Sequence, residues 1–265
     1  MSADVMAPPR SGALLARANP LSKVAVGLLL TVCLLLSVDI ASAAVALVLE
    51  VLALPLAGVR PGMLLRRGWP ILAAAVVGAY GTALLAPKTG AVLFDLPPVV
   101  FTEGSLAAGV AIAVRGIAIA LPGIMLLACT DPSDLADALA QKLRLPARFV
   151  LGALAAMRLV GLLVEEWQTL ALARRARGVG SGAGAAGRLK ASLGQAMALL
   201  VQAIRRASRL AVTMEAKGFG AGRRTWARES RFSSLDARVL AAGILASAAA
   251  VGTAVVLGTW NPVFG

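Results

Sequence analysis

Two stretches, forty residues apart, place cations where a helix is expected to end. "LALARRARGVGSG" (170–182) and "LAVTMEAKGFGAG" (210–222) each run from an apolar segment into Ala-(Arg or Lys)-Gly. Gly178 and Gly218 suit the left-handed position just past a helix C-terminus, where a Cβ is penalised. Arg177 and Lys217 place a cation against the negative end of the helix dipole. A guanidinium on such a tip can grip a partner's carboxylate through two parallel hydrogen bonds, whereas an ammonium makes a point contact. The chemistry offered is recognition by ion pairing rather than bond making. One basic helix end is common and can simply hold a membrane surface. Two matched ends suggest matched sockets on a dimer of like subunits. Arg174 and Arg175 flank the first tip, and Arg223 and Arg224 follow the second, as supporting cations.

The rest of the chain offers little for catalysis. It has no His, which removes His-ligated metal sites and Ser-His or Cys-His nucleophiles. Cys33 and Cys129 sit in or at the edge of apolar runs and read as small buried hydrophobes, not a disulfide. "VEEWQ" (164–168) and "DPSD" (131–134) are the candidates for carboxylate chemistry. The first lies on an amphipathic helix whose arginines suit its acids as partners. "GAGAAG" (182–187) fits G-x-G-x-x-G, but a basic helix precedes it where a strand is required. Arg188-Leu189 follows where a P-loop needs Lys and Ser or Thr, so any ATP hydrolysis belongs to another chain. Neither a cofactor, a metal nor an enzymatic activity is expected. Glu50 and Arg115 fall inside apolar runs, where an ionisable group is costly. They pair across the bundle, or serve structure separately, with Arg115 snorkelling and Glu50 protonated or otherwise paired.

The elements that must carry these residues are membrane helices. The 265 residues are 59% hydrophobic with a net charge of +13, against about 45–50% apolar in soluble domains. One Tyr and six Phe argue against a base-stacking nucleic-acid surface. An all-α integral membrane protein is expected, with about five spans at 22–38, 40–58, 70–86, 105–129 and 238–260. The first two form a tight hairpin. "ASA" at 41–43 resembles a signal cleavage site, but a second apolar run adjoins it, and no cleavage is expected. The organisation reads as a transmembrane region at 1–129, a helical cytoplasmic domain at 130–237 inserted between spans four and five, and a last span with a short outer tail at 238–265. The lead, the 59–69 loop and the 130–237 segment are basic, while the 87–104 loop carries Lys88 against Asp95 and Glu103. The positive-inside rule then puts the N-terminus in the cytoplasm and the tail outside.

In the cytoplasmic segment, Asp131, Pro132 and Asp134 mark a helix start. A second helix runs from Pro146 to Gly178, with 146–164 apolar enough to lie in the interface. "GVGSGAGAAG" (178–187) reads as a flexible linker. The helix after it places Leu193, Met197, Leu200, Ile204, Ala207, Leu210, Ala211 and Met214 on one face, which suits the membrane surface. Gly78, Gly109, Gly116, Gly123 and Gly152 permit close helix approach, within this chain or against another membrane protein.

"NPLSK" before the first span, "DPSDLADAL", "LP" opening the second cytoplasmic helix, "ALARRARG" and "AVTMEAKGFG" carry a resemblance covering about 19–260. The chain resembles the transmembrane T component, EcfT or CbiQ-like, of energy-coupling factor transporters. The resemblance implies two coupling helices, each docked in a groove of one of two ABC ATPases (a homo- or heterodimer). The docking residues it implies are Ala176, Arg177 and Gly178, then Ala216, Lys217 and Gly218. Lys217 departs from the family's arginine, keeping the charge and losing the fork. It further implies a membrane-embedded, substrate-binding S component for a vitamin or transition-metal ion, and a place in the bacterial plasma membrane. The alternative is a conventional ABC permease subunit, whose coupling loop "MEAKGFG" echoes; such a subunit carries one coupling helix, and this chain has two tips.

Overall fold

The computed structural model describes residues 14–37, 39–59, 61–96, 99–178, 184–220, 222, 225–226 and 228–260. Its helices are α1 (Pro20–Leu36), α2 (Ile40–Ala53), α3 (Pro61–Leu85), α4 (Glu103–Cys129), α5 (Pro132–Lys142), α6 (Ala147–Ala176), α7 (Ala185–Ala216) and α8 (Ser234–Val256). Strands β1 (Val92–Leu96) and β2 (Val99–Thr102) pair antiparallel between α3 and α4. The fold is that of an all-α membrane protein. Its contacts divide into two compact units, one holding residues 14–138 and 230–260 and the other Leu139–Glu229.

In the first unit α1, α2, α4 and α8 pack together and α3 lies along α4. The core is built from small side chains: Ala43, Ala46, Ala118 and Ala250 gather around Leu34. Small residues let backbones approach in a medium where burying larger apolar side chains gains little over lipid. At Gly109 a Cβ would come within 2.6 Å of the Ala79 carbonyl oxygen, so α3 and α4 meet there. At Gly243 it would meet Val26 at 2.6 Å, joining α8 to α1. Gly116, Gly123 and Gly152 have nothing within 4 Å, so composition alone does not identify the close crossings.

A buried polar knot ties the start of α1 to the start of α8. Asn19 caps α1 by accepting the Leu21 N–H at 3.0 Å, and Pro20 occupies the first turn, where no backbone donor is needed. The Asn19 backbone N–H donates to Asp236 Oδ1 at 2.5 Å, and Ser22 Oγ donates to the same oxygen at 3.0 Å. Asp236 Oδ2 accepts from the Ser233 N–H, closing a capping box on α8. Asp236 is 2% exposed. These bonds explain why "NPLSK" must be polar ahead of an apolar helix: it is one half of a joint 217 residues away in sequence.

Several boundaries differ from the sequence reading. Residues 61–69, expected as a basic loop, form the first turns of α3, which continues through Pro70. Part of the expected 87–104 loop is the hairpin β1–β2, whose register contains a bulge between Val92 and Phe94. α1 and α2 are close in sequence, yet each packs on α4 and α8 far more than on the other, so they are not a self-packed hairpin. Asp39 caps α2 through the Ser42 N–H at 2.7 Å. Burial pushes its carboxyl up, but hydrogen bonds from Ser37 and Ser42 outweigh this and hold it below the usual carboxylate range.

Among the described residues, four helical segments are long and apolar enough to cross a membrane: Gly68–Leu85, Glu103–Cys129, Ala147–Ala176 and Ser234–Val256. The 17-residue α1 and 14-residue α2, about 25 and 21 Å at 1.5 Å per residue, are shorter than the hydrocarbon core. α6 adds a segment of spanning length where the sequence reading placed an interfacial one.

Candidate coupling interface

The unit Leu139–Glu229 is organised around α6 and α7. α6 starts at Ala147 after Pro146 and runs unbroken for 30 residues. Its first half is apolar and open: Phe149 is 78% exposed and Val160 58%. α7 begins at Ala185, so Ala185, Ala186 and Gly187, expected as linker, are its first turn. Residues 179–183 of that linker lie outside the described residues.

The two helices are antiparallel. Near the end of α6, Arg174 Nη1 donates to the Ala191 carbonyl at 2.9 Å. Further back, Gln195 Nε2 donates to the Trp167 carbonyl at 2.7 Å, and Arg206 forms an ion pair with Glu166. Near the start of α6, the Arg148 guanidinium lies against Gly220, where a Cβ would come within 2.6 Å of Nη2. The tips therefore sit at opposite ends of the pair, and a 30-residue helix is about 45 Å long. Gln195 and Leu199 form the buried edge of α7 toward α6. Leu189, Leu193, Met197, Leu200 and Ile204 form an exposed apolar stripe.

Both tips end in the same way. At α6 the cap residue Arg177 has φ −87°, Gly178 follows at φ 77°, and the Gly178 N–H donates to the Arg175 carbonyl at 2.9 Å. At α7 Lys217 has φ −85°, Gly218 is again at φ 77°, and its N–H donates to the Glu215 carbonyl at 2.9 Å. The Phe219 N–H then donates to the Met214 carbonyl at 2.9 Å, completing a Schellman motif. Ala176, Arg177, Gly178, Ala216, Lys217 and Gly218 are all exposed. The glycines turn the chain away immediately, which leaves each cation exposed at the end of its helix.

The supporting cations divide. Arg174 is used within the fold, as the tie to Ala191, while Arg175 is exposed. Arg223 and Arg224 lie outside the described residues. Of the carboxylate candidates, Glu166 pairs with Arg206 on the facing helix rather than with an arginine on its own. Asp131 caps α5, accepting the Ser133 N–H at 2.7 Å. Sequence reasoning missed the Glu166–Arg206 pair because the partners are 40 residues apart on different helices.

Of the two alternatives for Glu50 and Arg115, the pairing does not form. Arg115 Nε donates to the Leu34 carbonyl at 2.9 Å and Nη2 to the Leu35 carbonyl at 3.0 Å. It satisfies the free carbonyls at the end of α1, which have no following turn to bond. Glu50 is buried, and neither carboxyl oxygen has a hydrogen-bond partner. No cluster of three or more His, Cys, Asp or Glu able to hold a metal occurs among the described residues.

Residues 12–226 match the CbiQ family, described as cobalt transport protein. An energy-coupling factor transporter transmembrane protein EcfT of Bacillus selenitireducens is 31% identical over 192 residues, covering 69% of this chain and 72% of the relative. The protein of the same name from Bacillus subtilis is 30% identical over 174 residues, covering 62% of this chain and 66% of its own. That of Listeria innocua is 31% identical over 182 residues, covering 65% and 66%.

Proposed function

The chain belongs to the CbiQ/EcfT family and is a membrane component of energy-coupling factor transporters; from that premise we propose that it is the subunit through which two ABC ATPases drive a substrate-binding S component. Ala176-Arg177-Gly178 docks one ATPase and Ala216-Lys217-Gly218 the other. Each cation meets acidic residues in a groove of its partner. Arg175, with Arg223 and Arg224, adds positive charge around the docks. ATP-driven approach of the two ATPases draws the tips of α6 and α7 along, and the membrane helices reorient the S component so that its site opens inward. The cargo, a vitamin or transition-metal ion, is held by the S component. This chain itself is non-catalytic.

The observation that carries this reading is the pair of matched tips. Two backbone turns, each with an exposed cation followed by a glycine at φ 77°, sit at opposite ends of one antiparallel pair. A conventional permease subunit needs one such tip. In the topology that goes with this reading, the N-terminus and the segment 130–237 lie in the cytoplasm of a bacterial cell and the tail outside, as the basic excess of 130–237 supports.

The test is co-purification of the ATPases with the full chain carrying Arg177→Glu, Lys217→Glu or both. Each single change is expected to weaken retention and the double change to abolish it. Unchanged retention in the double variant refutes docking at the tips. ATP hydrolysis by the purified chain alone refutes the division of labour.

A further inference from the structure

Within the first unit, α1, α2, α4 and α8 line an open-sided cavity of about 410 Å³. Its lining is mainly apolar throughout, including Leu14, Leu15, Leu56 and Leu235 at one end, and its charged residues gather toward that end. Lys23 and Arg238 line it where α1 and α8 begin. Glu50 lines it from α2, about one turn before that helix ends at Ala53. Beyond it the walls are apolar, with Leu30, Ala46 and Pro122. From Lys23 to Leu30 is about 10 Å along the helix axis.

We propose that this cavity is a binding site for one anionic glycerophospholipid. The phosphate lies between Lys23 and Arg238, a glycerol ester lies level with Glu50, and the upper part of one acyl chain fills the apolar end. The cations, the carboxyl of Glu50 and the apolar walls match the groups of such a lipid: anion, hydrogen-bonding ester, hydrocarbon. Asp134 and Asp236 lie within electrostatic reach of Lys23, so selection of an anionic headgroup at the mouth falls mainly on Arg238, since cations near a membrane surface attract anionic lipid. Lys23 Nζ already donates to the Cys129 carbonyl at 3.0 Å, which holds the ammonium at the mouth with donors to spare. Arg238 is exposed, with a long contact of 3.4 Å to the Ser234 carbonyl.

Glu50 is the second, independent observation. It is 5% exposed, and both its carboxyl oxygens are without a partner. A buried polar group without a hydrogen bond is costly. A lipid ester at that depth offers an acceptor to a carboxyl O–H, which would give one of the two oxygens a partner. A purely apolar occupant would leave the cost in place.

The test is native mass spectrometry of the full chain in detergent, titrated with phosphatidylglycerol or with phosphatidylcholine. Phosphatidylglycerol is expected to be retained at one copy and to bind about tenfold tighter than phosphatidylcholine. Arg238→Gln should weaken phosphatidylglycerol binding about fivefold, while inorganic phosphate at millimolar concentration should not compete. Ala242→Phe, which places a ring in the cavity, should abolish the retained copy. Glu50→Gln should preserve binding and Glu50→Leu weaken it. Equal binding of both lipids, or retention unchanged by both Ala242→Phe and Arg238→Gln, overturns the proposal. Loss of a membrane protein partner in Ala242→Phe, with lipid retention unchanged, overturns it in favour of a protein occupant. None of these readouts involves the ATPases, so failure here is separable from failure of the docking reading.

Discussion

At Arg177 and at Lys217 the chain leaves a helix through the same turn, with a glycine at φ 77° after each, and yet the two tips present different cations. The local frame is nearly a copy; the side chain is not. Each frame is also steadied by an arginine of α6. Arg174 ties the first end to α7, and Arg148 fills the space beside Gly220 at the second. Presentation of charge is thus a property of backbone and helix pairing, which the tips share. The grip itself is a property of the side chain, in which they differ. A guanidinium offers a planar fork to a carboxylate, and an ammonium a single strongly hydrated charge.

The largest test of this comparison is charge reversal measured as affinity for purified ATPase. Arg177→Glu is expected to cost about 2–5 kcal/mol, as for truncation of a desolvated interfacial ion pair, and Lys217→Glu less. Equal losses would show that the fork contributes nothing beyond its charge. Next come Gly178→Ala and Gly218→Ala, each forcing a Cβ into the left-handed region at about 1–2 kcal/mol. Because both glycines have the same φ, the two losses, read from thermal unfolding of the purified chain, should match; a large inequality breaks the claim of a shared frame. Arg206→Ala removes the partner of half-buried Glu166, an effect of about 1 kcal/mol or less after solvent screening. It should weaken docking at both tips alike, since both hang from the α6–α7 pair, and a loss confined to one tip would show that the helices act separately. The smallest effect is a gain: Lys217→Arg restores the fork and should tighten the second dock by less than about 1 kcal/mol. No change in ATPase affinity would mean that the second groove is built for lysine.

The tips were legible in the sequence because their signals are local. Ala-(Arg or Lys)-Gly after an apolar helical run specifies a helix end within three residues. The cap at Asp131 likewise acts within a few residues of itself, whereas the caps at Asn19 and Asp39 emerged only with the structure. The membrane class followed from composition, which sums over the chain and needs no geometry.

What tertiary structure decided involves partners distant in sequence. Arg115 and Glu50, the two intramembrane charges, were natural candidates for each other. Helix packing instead aims Arg115 at the end of α1 and leaves Glu50 in a cavity. Asp236 sits in a segment expected as cytoplasmic, and only the fold makes it the joint between α1 and α8. Gly109 marks a close crossing and Gly116, on the same helix, does not, because the neighbour's position sets the distance. The antiparallel order of α6 and α7, which puts the tips at opposite ends, follows from contacts such as Arg174 with Ala191 and Arg206 with Glu166. By itself the sequence determined the membrane class, the C-terminal ends of α6 and α7 and the cations they carry, since propensity, capping and charge act over a few residues or over the whole composition. Which buried charges meet, and which way each tip points, was decided by packing, because those contacts exist only once helices far apart in the chain are brought together.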